Sequence, residues 1–319
     1  LSLILCFGFV FNAVQANTIA AAAETSWAWN KQMVGIGLVI LTAPIIFGGI
    51  RRVSKFAEAV VPVMAVLYLA MALYIVLTNL GAVPAVVSLI FSKAFQFDAA
   101  AGGFFGAMVS QAMMMGIKRG LYSNEAGMGS APNAAAAAEV SHPASQGMIQ
   151  MLGVFVDTII VCSCTAFILL LSDVQNTTDL TGAQLTQAAL VHHVGAWGAD
   201  FLTIILFLFA FSTVVGNYAY AESNIQFIKS NRIIMNIFRM VVLMFVYFGA
   251  IWDVPLVWDM ADLSMGIMAV IDLIAILLLS PMVLLLMKDY QAKVRLGKTP
   301  EFKLSEHPVL KRKIKSDIW

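Results

Sequence analysis

Residues 116–143, GIKRGLYSNEAGMGSAPNAAAAAEVSHP, bring Lys118, Arg119, Tyr122, Ser123, Asn124 and Glu125 together with Gly120, Gly127, Gly129 and Pro132. Side chains of these types can pair with ions or hydrogen-bond both ends of a small zwitterion. The glycines supply the backbone freedom for a break, and Pro132 suits the first turn of a helix that restarts. Two other stretches carry polar groups inside apolar surroundings. In GFVFNAVQANTIA, Gln15 and Thr18 share a helical face and Asn12 lies one turn below Gln15, with Asn17 beside them. Amides in such a place either hold helices together or bind a ligand. In FAFSTVVGNYAYAE, residues 209–222, Ser212 and Thr213 are adjacent hydroxyls. They are hard oxygen ligands of the kind Na⁺ accepts, and equally able to bond back to their own helix.

The elements that must position these groups are membrane spans. The chain is 61% hydrophobic and 12% charged, against about 25% charged in an ordinary soluble domain. Its mean hydropathy is +0.87, and long apolar runs recur throughout. Lipid is the only solvent that accepts that much apolar surface, so the chain is an all-α polytopic membrane protein. The net charge of +1 says nothing about partners by itself; the expected partners are a small amino acid and the lipid bilayer, with no nucleic acid. No HExxH, no GxSxG and no persuasive pair of intramembrane aspartates occurs, which argues against an enzyme. Cys6, Cys162 and Cys164 lie in apolar runs and read as small packing residues. His192 and His193 read as a solvated pair in a polar connection.

Windows of about 19 residues place spans near 1–22, 33–50, 59–80, 102–138, 147–172, 199–221, 233–250 and 258–287. Arg51, Arg52 and Lys55 follow the second, Lys229 and Arg232 follow the sixth, and a basic tail follows the last. The connection 173–198 has no Lys or Arg. The positive-inside rule then puts the tail, 288–319, in the cytoplasm and residues 173–198 outside. Residues 84–97 are amphipathic and too short to cross, which predicts an external interfacial helix.

Residues 102–138 do not fit as one helix. They would reach about 55 Å at about 1.5 Å per residue, against a hydrocarbon core of about 30 Å. Continuous helix would also put Lys118, Arg119, Asn124 and Glu125 in lipid. Helix, break near 119–132, helix is the economical reading, with an Ala-rich helical run from Asn133 to Glu139. A tight cytoplasmic loop is the competing one. Secondary transporters use such breaks as binding sites, where freed NH and carbonyl groups meet an anionic group and a cation. Arg119 and Glu125, opposite charges flanking the break, are expected to pair across it.

RGLYSNEAGMGSAPNAAAAA, with HPASQGMIQMLGVFVDT at 142–158, closely resembles the alanine or glycine:cation symporters. FGFVFNAVQANTIA, FAFSTVVGNYAYAE and ADLSMGIMAVIDLIAILLL extend the resemblance over nearly the whole chain. It implies a LeuT-type inverted-repeat fold, truncated to about eight core helices, the third to the tenth. Residues 1–80 would be the remainder of the first repeat, 81–101 an external helix and loop, and 102–287 the second repeat. The chain, opening on Leu1 inside an apolar run, reads as cut.

The resemblance also implies roles. Gln15 and Asn17 match a QAN motif that faces substrate, and Tyr122, Ser123, Asn124, Gly127 and Gly129 match the break that walls the pocket. Ser212 and Thr213 match a pair expected to supply oxygens to the coupling cation. Asn217 stands where many relatives have an aromatic, which bears on pocket size. Asp272, with Ile271, stands where many have Pro-Asn, and joins Arg119 and Glu125 as a gating or structural group. The implied activity is import of alanine or glycine with Na⁺ (or H⁺), with no organic cofactor, in a bacterial inner membrane. The alternative is an inert fragment of such a symporter.

Overall fold

The computed structural model describes residues 1–48, 50–94, 111–176 and 178–311, without the side chains of 50–57, 93–94, 111–112 and 309. Regular structure among the described residues is helical. In chain order the helices are α1 (Ser2–Trp27), α2 (Lys31–Phe47), α3 (Ile50–Thr78), α4 (Val83–Ala94), α5 (Gln111–Asn124) and α6 (Ala131–Ala135). They continue with α7 (Pro143–Leu170), α8 (Gly182–Val194), α9 (Trp197–Ile228), α10 (Arg232–Ile251), α11 (Val254–Arg295) and α12 (Pro308–Lys311). Six of these, α1, the Glu58–Thr78 part of α3, α7, α9, α10 and α11, are long and apolar enough to cross a bilayer. That makes the chain a polytopic membrane protein. The expected second span corresponds to a 17-residue helix, α2, and α4 covers most of the stretch 84–97; residues 95–110, which include the end of that stretch and the start of the expected span 102–138, lie outside the described residues.

α1 is the centre of the bundle, with α9 and α10 packed along it. It has no one-sided apolar stripe, as suits a helix enclosed by others, and small residues let its neighbours come close. Ala13, Ala16, Ala20, Ala22 and Ala23 are all buried. Closest approach is at Gly249 of α10, where an added Cβ would lie 2.6 Å from both the Cβ and the carbonyl oxygen of Ala13. Neither can swing away, since one is bonded to backbone and the other is backbone. Gly249→Val is therefore expected to cost at least the roughly 1–3 kcal/mol of an overpacked core. The check is the thermal midpoint in detergent, and an unchanged midpoint would mean α10 shifts at little cost. Asn17 ties the same helices, its Nδ2 donating to the carbonyls of Gly249 (2.9 Å) and Trp252 (2.8 Å).

Two stretches depart from α geometry: Cys6–Val10 in α1 and Val156–Val161 in α7 are π-helical. The second aims Asp157 and Thr158 at the break between α5 and α6.

α11 runs without interruption to Arg295, beyond the expected end of the last span, and the chain then folds back on it. Phe302, Leu304 and Leu310 pack against Met282, Leu285 and Leu286, and the Phe302 NH donates to the Ser141 carbonyl (2.9 Å). His142, fully buried, accepts from the Ala144 NH at Nδ1 (3.0 Å), so its Nε2 carries the proton given to Asp289 (3.1 Å). Lys293 Nζ sits 2.9 Å from Asp289 and 3.1 Å from Glu306. The basic tail is thus partly a folded strap tied to the start of α7.

Candidate functional site

The break falls later than the sequence suggests. α5 continues through Gly120 to Asn124, and residues 125–130 form the unwound turn. Glu125, Gly127 and Gly129 take positive φ (56°, 84° and 76°), the left-handed conformation that glycine adopts freely and glutamate does not. The restart is brief, α6 having five residues rather than the Ala-rich run to Glu139. Asn124 holds the turn at both ends of its amide: Oδ1 accepts from the Ala126 NH (2.9 Å) and Nδ2 donates to Thr158 Oγ1 (2.8 Å). Ser123 Oγ donates to Asp157 Oδ2 at 2.7 Å. Asn133 Nδ2 donates to the Gly129 carbonyl (2.9 Å), and Asn224 of α9 donates to Asn133 (2.7 Å).

Beside this turn is a cavity of about 500 Å³, enclosed by α1, the end of α5, α7, α8, α9 and the start of α11. Gln15, Tyr122, Ser123, Glu125, Asp157 and Thr213 line it. Gln15 Nε2 donates to Tyr122 Oη (3.0 Å). Tyr122 is boxed by Phe11 (4.7 Å between ring centres) and Trp258 (5.1 Å). A smaller cavity of about 190 Å³ shares Glu125 and Thr213, and adds Ser212, Asn217 and Tyr220. Asn217 is buried there with its Nδ2 unpartnered.

α8 roofs the larger cavity with Thr181, Gln184 and Thr186. It is anchored by Gln187, whose Nε2 has two N–H groups to share among the Ala22 carbonyl (3.1 Å), Ser26 Oγ (2.9 Å) and Thr203 Oγ1 (2.8 Å). His193 at its far end is half-buried rather than solvated. Its Nε2 donates to the Ile168 carbonyl (3.0 Å), and burial, with His192 adding to it, pushes it below the usual imidazole range.

Of the residues singled out in the sequence, Gln15, Tyr122, Ser123, Glu125 and Thr213 meet at the larger cavity, and Ser212 and Asn217 at the smaller. Asn17 touches the larger one, but its amide donors are spent on α10. Asn124, Gly127 and Gly129 shape the turn. Ser212 and Thr213 both donate to the Phe209 carbonyl (2.8 and 2.9 Å), which leaves their oxygen lone pairs open as acceptors. Asp272 lies against Gly129, where an added Cβ would be 3.0 Å from its Oδ1.

The expected pairing across the break is also overturned. Arg119 does not pair with Glu125: it pairs with Asp262 of α11, which also holds Lys118 (3.2 Å), and its guanidinium lies over Trp258 (4.3 Å). The reason is helical phase. Arg119 is still inside α5 and faces α11, whereas Glu125 already belongs to the turn. Sequence reasoning passed over Asp157, Thr158 and Asp262. The available signal was a carboxylate within an apolar span, which marks function or pairing by default.

Residues 1–304 match the model of the sodium:alanine symporter family. The chain is 58% identical over 320 residues to an uncharacterized transporter of Haemophilus influenzae, covering 100% of this chain and 66% of that protein. It is 50% identical over 313 residues to the amino-acid carrier protein AlsT of Bacillus subtilis (98% and 65% covered). With the sodium/alanine symporter AgcS of Methanococcus maripaludis the identity is 40% over 275 residues (85% and 59% covered). The chain spans about two thirds or less of the length of these relatives. The match over all but the last fifteen residues, with these identities, places the chain in the sodium:alanine symporter family, a family of transporters and not of enzymes.

Proposed function

We propose that the protein is a secondary active symporter that imports alanine or glycine together with Na⁺ (or H⁺) by alternating access. The observation that carries this reading is the cavity at the broken helix, where Gln15 and Tyr122 offer donors and Glu125, Asp157 and Thr213 offer acceptors. Freed backbone at membrane depth is tolerated where it lines such a cavity, and helix breaks of this kind hold substrate and ion in secondary transporters. The family and the names of the relatives AlsT and AgcS support a cation-coupled amino-acid substrate. Gln15, Tyr122, Ser123, Asn124, Gly127, Gly129 and Asn217 are assigned to the substrate side, with Asn17 as a tether behind it. Ser212 and Thr213 turn their remaining lone pairs to the coupling cation in the smaller cavity, and no organic cofactor takes part.

In this reading the fold is LeuT-type. Residues 1–80 belong to a first repeat, 81–101 to an external connection, and 102–287 to a second repeat with its first helix broken. Residues 288–319 face the cytoplasm, and the membrane is the bacterial inner membrane. Arg119 acts with Asp262 to hold α5 against α11, Glu125 stands between the two cavities, and Asp272 braces the turn at Gly129.

The test is uptake of labelled alanine into proteoliposomes with and without an inward Na⁺ or H⁺ gradient. It is run on this chain and on the chain joined to the part of the Haemophilus influenzae relative that the match does not cover. Gradient-driven uptake in either supports the reading; uptake by the joined version alone identifies this chain as an inert piece of the symporter. Failure of both to move alanine or glycine overturns the substrate assignment.

A further inference from the structure

We propose that Asp157 receives the substrate's ammonium group, so that the cavity has a fixed polarity and selects ligands that carry a positively charged amine. This rests on the amino-acid reading above and deepens it. Asp157 lies in the π-helical turn of α7 and lines the larger cavity. Its Oδ2 accepts the Ser123 hydroxyl proton at 2.7 Å, which fixes the carboxylate and leaves Oδ1 available. An α-helix closing every turn at the ordinary step would carry Asp157 past this face, and π turns of this sort recur at functional sites.

Charge in the cavity points the same way. Two carboxylates, Glu125 and Asp157, line it, and among the described residues no Lys, Arg or His does. The nearby cations are engaged elsewhere, Lys118 and Arg119 both on Asp262. A carboxylate at membrane depth without a basic partner calls for a cation from outside. Glu125 opens also onto the smaller cavity, among the oxygens of Ser212, Thr213 and Asn217, which suits an inorganic cation. Of these two cavities Asp157 lines the larger, which suits an organic one.

The opposite end of the zwitterion has its own partners. Tyr122 Oη accepts from Gln15 Nε2, so its own proton is free to be donated into the cavity. Gln15 keeps a second N–H as well. Donors from Gln15 and Tyr122 take the substrate carboxylate, and Asp157, tethered by the residue that follows Tyr122, takes the amine. Neighbouring residues on one turn thus set the spacing between the two charged ends.

The experiment is equilibrium binding to the purified protein in lipid nanodiscs, with L-alanine and with L-lactate, which replaces the ammonium by a hydroxyl. The unaltered protein is expected to bind alanine and to prefer it strongly over lactate. In Asp157→Asn, which keeps an oxygen for Ser123, alanine binding is expected to weaken about 10- to 100-fold, as when a hydrogen bond to a charged group is lost. Lactate binding should hardly change, so the preference collapses; a merely structural residue would weaken both ligands alike. Asp157→Glu should recover part of the preference, and it decides the matter should Asp157→Asn not yield monodisperse protein. An unchanged alanine-to-lactate ratio in these variants overturns this assignment and leaves the amino-acid reading standing. Absence of alanine and of glycine binding, both in this chain and in the version joined to the remaining part of the Haemophilus influenzae relative, overturns both.

Discussion

Arg239→Met is expected to destabilise the bundle by about 3–5 kcal/mol, the cost of leaving a buried charge without its partner. Arg239 of α10 reaches α9 with two groups. Its Nε donates to Tyr218 Oη (2.9 Å) and its NH2 to Glu222 Oε1 (3.1 Å). Glu222 is 4% exposed and has Gln226 as its other donor (3.2 Å). Methionine fills much the same volume, so packing changes little and the isolated carboxylate dominates. The measurement is the thermal midpoint in detergent for Arg239→Met and for the double variant with Glu222→Gln. The double variant should recover most of the loss, because the charge left behind has gone. Equal destabilisation in both would assign the effect to lost packing along the arginine stem.

Tyr122→Phe is expected to lower alanine uptake about 10- to 100-fold without lowering the amount of folded protein, as a charge-assisted hydrogen bond is lost. The ring keeps its box of Phe11 and Trp258, so the turn keeps its shape. What disappears is the acceptor for Gln15 and the hydroxyl proton that this bond leaves unused. Gln15 can then turn its amide, so the remaining donor is also less well placed. Uptake kinetics in proteoliposomes check this: the loss should appear mainly as a higher KM. An unchanged KM would remove Tyr122 from the substrate side and leave it as a wall of the cavity.

Much of the fold is legible in the sequence because membrane burial imposes simple rules. Apolar runs locate α1, α3, α7, α9, α10 and α11, and the charged, glycine-rich stretch 119–132 contains the unwound turn at 125–130. What composition does not register is phase. Arg119 lies six residues from Glu125, and only the continuation of α5 to Asn124 reveals that they face different neighbours. Asp157 escaped for a similar reason: its direction depends on the π turn, whose sequence VDTIIV carries no glycine or proline to mark it. The adjacent hydroxyls of Ser212 and Thr213 were legible as a pair. Their proton direction, toward Phe209, was not, since it depends on rotamers.

A helix that widens for one turn carries one residue more than its neighbours need. The residues after it are therefore rotated by about 100° relative to an uninterrupted α-helix. Thr165, which meets Tyr68 Oη at 2.6 Å, and Ile168, which meets His193, depend on that rotation. Removing a single residue from Val156–Val161 would return the helix to regular winding and misalign everything downstream. Removing one before it and restoring one after it would leave α3 and α8 in register while changing only what faces the cavity. Along this helix, single-residue insertions and deletions, rather than substitutions, are the changes that re-aim the site.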